Sequence, residues 1–264
     1  DDAAGKYVPE LDELQVLDGF DASGQPKLRA PKRKVTVNDL MLHTSGLCYE
    51  FFSGDDLKFR GAKNIPTVVS SSFESIRTVL KPVPISLSDK RLGDVLRERL
   101  FDPLGMDEIG FRMTDAMKSR RAVIHDRAAD GKLTPVPDLV LPDPPPMDMG
   151  GHGLYATVGE YMKFIRMVLN NGAGANGRVL KAETVDAMAR DGLQPMGLSV
   201  GGWTTSIPSL SNTGEFFPGL DKGWGYTFMT NRERAPTGRT PGSLMWAGLA
   251  NCFFWIDRTA GVGG

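Results

Sequence analysis

Residues 241–263 read Pro-Gly-Ser-Leu-Met-Trp-Ala-Gly-Leu-Ala-Asn-Cys-Phe-Phe-Trp-Ile-Asp-Arg-Thr-Ala-Gly-Val-Gly. Two β-type runs, 243–249 and 252–257, flank the short passage Gly248-Leu249-Ala250-Asn251, a turn suited to a sheet. Along the second run side chains alternate, with Phe253 and Trp255 on one face and Phe254 and Ile256 on the other. Both faces are apolar and want cover, which predicts an inner strand rather than a solvated edge. Upstream, Trp224, Tyr226 and Phe228 alternate over a further predicted strand. The polar loop 232–241 separates that strand from the 243–249 run, so the C-terminal region reads as an antiparallel sheet.

Working outward, the tripeptide Trp246-Ala247-Gly248, followed by an aromatic strand ending in Trp255-Ile256-Asp257, resembles the C-terminal motif of family VIII carboxylesterases. These belong to the serine β-lactamase-like superfamily, and their Trp-x-Gly stands where class C β-lactamases and penicillin-binding peptidases carry Lys-Thr-Gly. The resemblance implies an inner strand whose backbone N–H points into a cleft and binds an oxyanion. By that likeness the donor is the N–H of Leu249, with Gly248 beside it, and Trp246 and Ala247 contact substrate.

Three further blocks resemble the same superfamily, in the same order. The first is Val35-Thr36-Val37-Asn38-Asp39-Leu40-Met41-Leu42-His43-Thr44-Ser45-Gly46-Leu47. Its residues predict a helix opened by a Thr36/Asp39 capping box, buried through Val37, Leu40 and Met41, and stopped at His43-Thr44-Ser45-Gly46. His43 and Ser45 stand close in sequence, but at a helix end they point in different directions. They are read as structural, satisfying free carbonyls.

The second block is Phe101-Asp102-Pro103-Leu104-Gly105-Met106, a helix stop after a predicted helix over 92–101 with Val95, Leu96 and Leu100 inward. The third is Gly150-Gly151-His152-Gly153-Leu154-Tyr155-Ala156-Thr157, leading into a helix. There Thr157 and Glu160 form a capping box, and Val158, Tyr161, Met162, Ile165, Val168 and Leu169 form the inner face. The resemblance places this loop at the border of the active-site cleft, making Gly151, His152 and Gly153 substrate-binding residues.

The superfamily's chemistry is acyl transfer through a serine in a Ser-x-x-Lys motif, activated by that lysine and a tyrosine. No serine of this chain has lysine three residues later, and no tyrosine lies between Tyr49 and Tyr155. The expectation is that the nucleophile, its lysine and the tyrosine lie outside these residues, and that the chain alone is inactive. Residues 82–90 are where a Tyr-x-Asn or Tyr-x-Ser motif would stand.

Composition narrows the partners. With 264 residues, 41% hydrophobic, and 31 basic against 32 acidic side chains, the chain can bury a core. It has no charge excess to aim at nucleic acid or anionic lipid. A small-molecule ester fits, and neither nucleic acid nor membrane is expected as a partner. Trp246 offers one N–H and an apolar face where a β-lactamase offers an ammonium, so neutral esters suit it better than penicillins. Two cysteines far apart, Cys48 and Cys252, predict no disulfide framework and a reducing, cytoplasmic compartment.

His43, His125 and His152 lack metal-ligand spacing, so no metal and no cofactor are predicted. Gly151–Ala156 and Gly172–Gly177 match a dinucleotide fingerprint, but neither follows a strand, and both are read as glycine turns. Gly197-Leu198-Ser199-Val200-Gly201 spells a nucleophile elbow without the strand and helix an elbow needs. Ser199 is therefore the internal competitor for the nucleophile, in a different hydrolase. A catalytically inactive ligand-binding relative is the other alternative, and acyltransferase or weak β-lactamase activity lies within the superfamily.

The fold predicted is α/β: an antiparallel sheet flanked by helices plus a mainly helical lobe, β-lactamase/transpeptidase-like. Residues 1–34 read as a loop-rich connector that includes the basic Lys32-Arg33-Lys34, 35–220 as the helical lobe, and 221–264 as the sheet portion. Helices are also expected at 73–80 and 182–189, and 127–148 reads as an extended proline-rich excursion.

Overall fold

In the computed structural model, which describes residues 1–65, 90–128, 130–137, 140–145, 148–208 and 211–264, helices and antiparallel strand pairs alternate along the chain. The strands are β1 (Val16–Phe20), β2 (Pro26–Arg29), β3 (Ile109–Gly110), β4 (Ile124–Arg127), β5 (Leu133–Val136), β6 (Tyr155–Ala156) and β7 (Ala173–Gly174). They continue with β8 (Gly177–Arg178), β9 (Lys222–Trp224), β10 (Met229–Asn231), β11 (Leu244–Gly248), β12 (Cys252–Asp257) and β13 (Val262–Gly263). The helices used below are α1 (Val37–Met41), α2 (Gly54–Lys63), α3 (Leu92–Leu96), α4 (Asp115–Ser119), α5 (Val158–Leu169) and α6 (Ala182–Ala189). The expected helix at 73–80 and residues 82–89 lie outside the described residues.

Chain contacts gather into two units, each made of two stretches: Asp1–Pro84 with Met188–Gly242, and Ile85–Ala187 with Ser243–Gly264. In the first unit β1 pairs with β2, so the stretch read as a loop-rich connector holds a hairpin. Its sequence signal is weak because Gly19, at φ 82°, interrupts the first strand. The basic triplet is also tied down. Arg33 forks onto the Asp39 carboxylate at 2.5 and 2.7 Å, and Lys34 reaches Asp12 at 2.5 Å.

The Thr36/Asp39 capping box forms as expected: Thr36 Oγ1 accepts from the Asp39 amide and Asp39 accepts from the Thr36 amide. The buried stripe differs. Met41, the last helical residue, is exposed, and Leu42, the residue that caps the helix, is the buried one. That stop is a Schellman motif in which His43 takes the left-handed conformation (φ 57°), with Thr44 N donating to Asp39 O. The same device closes α2 at Asn64 and α5 at Asn171, and closes the helical turn Asp102–Leu104 at Gly105.

The alternating Trp224, Tyr226 and Phe228 do not make one strand. β9 ends at Trp224, Gly225 donates to Phe228 O, and β10 returns with Met229 opposite Trp224. Gly225 turns where a Cβ would stand 2.3 Å from Met188 O, so the backbone leaves the strand line at a position that only glycine fills. The aromatic period therefore spans a hairpin turn.

In the second unit, the predicted helix over 92–101 is regular only to Leu96. Residues Arg97–Phe101 form a π-type segment, with Asp102 N donating to Arg97 O. Pro103 has no N–H and its ring crowds the carbonyl four residues back, which widens the preceding turn. Phe101, Leu104 and Met106 are buried there. The glycine segment 172–177 is the β7–β8 hairpin.

Helix α5 keeps half of its expected capping box. Thr157 accepts from the Glu160 amide, but the Glu160 carboxylate turns to Lys163 at 2.8 Å. Lys163 also donates to Gly105 O. Ile165, Met167 and Val168 are buried as a core face, while Val158, expected inward, is 83% exposed. At the first helical position it lies ahead of the surface the helix covers.

Candidate active site

The site begins with the β11–β12 hairpin in the second unit. Its register pairs Leu244 with Ile256, Met245 with Trp255, Trp246 with Phe254, Ala247 with Phe253 and Gly248 with Cys252. Residues directly opposite in an antiparallel pair share a face. One face therefore carries Leu244, Ile256, Trp246 and Phe254, and the other carries Met245, Trp255, Ala247 and Phe253. Leu244 and Ile256 are fully buried.

Helix α5 covers the first of these faces. The Tyr161 ring lies 5.4 Å from Phe254, and Ile165 packs where a Cβ at Gly263 would meet it at 2.6 Å. β12 is flanked by β11 on one side and, through Ile256 and Asp257, by β13 on the other. It is thus an inner strand at its C-terminal half. The prediction that both faces are covered fails at the other end, where Phe253 is 59% exposed. β13 reaches only the last residues of β12, so the turn end of the hairpin stands beyond the packed core.

That turn end carries the predicted oxyanion donor. Pairing stops at Gly248↔Cys252, Gly248 is extended (φ −126°, ψ 177°), and Leu249–Asn251 form a 3-10 turn with Ala250 and Asn251 at positive φ. Leu249 follows the last ladder pair and begins the turn, where a helix's own bonds leave the N–H unused. Trp246 and Ala247 are half-buried on opposite faces.

The second group of predicted residues lies on the loop ahead of α5. Gly153 takes φ 94°, which a side chain would strain, and lies against Phe111 and Leu141. Tyr155 and Ala156 then pair with Gly110 and Ile109. Gly151 is exposed and His152 half-buried. Burial pushes the His152 imidazole below its usual range, so it is neutral near pH 7 and offers one donor and one acceptor. The fold links the two groups through α5, which starts from this loop and packs its first turns on the Trp246/Phe254 face. An open hollow of about 430 Å³ lined by Met162, Arg166, Leu169, Asn170 and Gly261–Gly263 lies toward the other end of the same helix.

In the first unit, His43 is structural. Its ring lies 4.7 Å from that of Trp224, and burial lowers its basicity. Ser45 accepts from the Leu47 amide. Ser199 stands on an irregular segment, not an elbow. It donates to Asp221 and accepts from Arg232, each at 2.9 Å. Arg232 also reaches Asp221 at 3.0 Å and Asp191 at 2.6 Å. A hydroxyl held between a carboxylate and a guanidinium has no imidazole or amine beside it to take its proton.

Among the described residues no cluster of three or more His, Cys, Asp or Glu side chains is arranged to hold a metal. Cys48 and Cys252 are both free and exposed. No described helix is long and apolar enough to cross a membrane. Sequence reading placed Tyr161 on the inner face of α5 without assigning it a part in the site. The ring-on-ring contact with Phe254 sets it on the face that Phe254 shares with Trp246.

The beta-lactamase family model matches residues 1–264. The chain is 27% identical to Acyltransferase mokF of Monascus pilosus, covering 73% of this chain and 51% of that protein. It is 25% identical to the Monacolin J acid methylbutanoyltransferase of Aspergillus terreus, covering 99% of this chain and 68% of that protein. It therefore spans about half to two thirds of these relatives. Among solved structures, it superimposes on a mutant of simvastatin synthase from Aspergillus terreus with TM-score 0.76 at 24% identity, covering 100% of this chain and 68% of the other. The hydrolase EstCE1 follows the same fold at TM-score 0.61 and 16% identity, over 100% of this chain and 71% of its own. The architecture is the α/β, β-lactamase/transpeptidase-like one expected from the sequence.

Proposed function

Because the chain belongs to the beta-lactamase family, we propose that the intact protein transfers acyl groups from carboxylic esters through a covalent acyl-enzyme on a serine, with water as acceptor. None of these serines carries a lysine three residues on. The nucleophile and its lysine are accordingly assigned to sequence outside these 264 residues, in keeping with the partial span of the relatives.

The serine oxygen attacks the ester carbonyl, and the lysine and tyrosine of the family's motifs take its proton. The tetrahedral oxyanion is bound by the Leu249 N–H. Collapse breaks the ester C–O bond, and the alcohol leaves with the proton. Water then attacks the acyl-enzyme, releasing acid and serine. The observation that carries this reading is the position of Leu249 past the last ladder pair of the hairpin bearing Trp246-Ala247-Gly248. One such donor contributes about 10²–10³ in rate. With Trp246 uncharged, the reading favours neutral esters.

A second acceptor, an alcohol, is favoured by the naming of two relatives as an acyltransferase and a methylbutanoyltransferase. Both are tested with the full-length protein and p-nitrophenyl butyrate. The expected result is a burst of about one equivalent of p-nitrophenol, characteristic of acyl-enzyme accumulation. Added alcohol that accelerates the steady state and yields a new ester identifies the transferase. No burst, together with no serine labelled by a phosphonate ester, would leave an inactive binding relative and sink the proposal.

A further inference from the structure

We propose that the Tyr161 hydroxyl selects substrate by donating a hydrogen bond to an ether, carbonyl or hydroxyl oxygen carried on the apolar part of the ester. Oxygen-bearing esters are then preferred to plain alkyl ones. The inference rests on the reading of Trp246 as a substrate-contacting residue and names the substrate class for that site.

The geometry comes from the hairpin register. Trp246 and Phe254 are directly opposite and share a face, and Tyr161 lies against Phe254 with centroids 5.4 Å apart and planes tilted by 54°. The Tyr161 ring also meets Phe164, with centroids 5.5 Å apart. The phenol thus stands on the Trp246 face, one turn into the helix that the Gly151-His152-Gly153 loop leads into. Two aromatic rings flank the phenol, and its hydroxyl adds a hydrogen-bonding group beside them.

That oxygen has no hydrogen-bond partner among the described residues, and the residue is half-buried. By contrast the Tyr226 phenol donates to Asn38 Oδ1 at 2.8 Å. Buried phenols ordinarily find a partner. One left open on a face assigned to substrate is a ready donor. Burial pushes the Tyr161 pKa up to about 12, so it keeps its proton throughout the working range of an esterase assay. A site built around one hydrogen bond rejects analogues that lack the oxygen more strongly than an apolar wall rejects a methylene.

The test uses the full-length protein and two amides that are not turned over, identical except that one has an ether oxygen where the other has a methylene. Binding is followed by tryptophan fluorescence. The unmodified protein is expected to bind the ether amide about fivefold more tightly, the worth of one neutral hydrogen bond. Tyr161→Phe, which keeps both ring contacts, is expected to bind the two equally without a change in melting temperature. The preference should stay flat from about pH 6 to 9, well below a tyrosine's ionisation.

Equal affinity for both amides in the unmodified protein overturns the inference, as does a preference that survives Tyr161→Phe. The butyrate burst is read separately. A burst without amide discrimination overturns this inference and leaves the acyl-transfer reading standing. Discrimination without a burst supports Tyr161 as a selector in a binding protein and sinks the acyl-transfer reading alone.

Discussion

Replacing Ser199 with alanine separates a nucleophile from a structural hydroxyl by orders of magnitude. If Ser199 attacked the ester, its loss would cost about 10⁶ in kcat. The structure predicts retention of at least half the activity, because Ser199 only bridges Asp221 and Arg232, at 2.9 Å each. Those two remain in direct contact at 3.0 Å after the hydroxyl is gone. Ser199 is exposed, so the change costs about 0.5–1 kcal/mol, the low end for a hydrogen bond. For a chain of this size that is a shift of about 1–4 °C in Tm.

Arg232→Ala is the contrasting perturbation. It removes the charge partner of Asp191, whose carboxylate is largely buried and also accepts from the amides of Leu193, Gln194 and Trp224. Leaving that charge unpaired costs about 3–5 kcal/mol. The assay is p-nitrophenyl butyrate hydrolysis by the full-length protein, with melting curves in parallel. A fall of a thousandfold or more in kcat for Ser199→Ala, with Tm unchanged, would refute the argument and make Ser199 the nucleophile.

Lys222 is fully buried, and its Nζ donates to Glu215 at 2.7 Å and to the carbonyls of Leu220 and Phe217 at 2.7 and 3.2 Å. Lys222→Met should destabilise by about 3–5 kcal/mol, since the acceptors lose a buried cation; denaturant titration reads this directly. Arg33 beside Asp39 holds that carboxyl well below the usual carboxylate range. The stability it confers is therefore complete above about pH 4, the unfolded value, and is lost as pH falls through the lower folded one. Asp39→Asn keeps an acceptor for the Thr36 amide but loses the charge pair with the exposed Arg33, so it should cost about 1 kcal/mol or less at pH 7, and the gap should close on acidification in pH-dependent melting. Gly172 has φ 92°, and a Cβ there would stand 2.1 Å from Leu180 O. Gly172→Ala should cost about 3 kcal/mol or more, with Tm falling accordingly; an unchanged Tm would show that the β7–β8 hairpin yields freely.

Much of this protein was determined within short windows of sequence. Thr36 with Asp39, the Pro103-Leu104-Gly105 stop and the 241–263 hairpin are each closed by hydrogen bonds between residues a few positions apart. A local pattern specifies them whatever the rest of the chain does. The family was legible for the same reason, in four ordered blocks.

What tertiary structure decided were choices between distant partners. The alternation of Trp224, Tyr226 and Phe228 fits a strand, but Gly225 must turn because Met188 and Arg190 occupy the space a strand's side chain would take. Val158 has the right period for a core face, yet it is exposed at the first position of α5, ahead of the turn that packs on Phe254. The pairing of Arg232 with Asp191, 41 residues apart, and the placement of Tyr161 against Phe254 depend on the path of the chain between them. Period and propensity fix which way a side chain points within its own element, and only packing fixes what it meets.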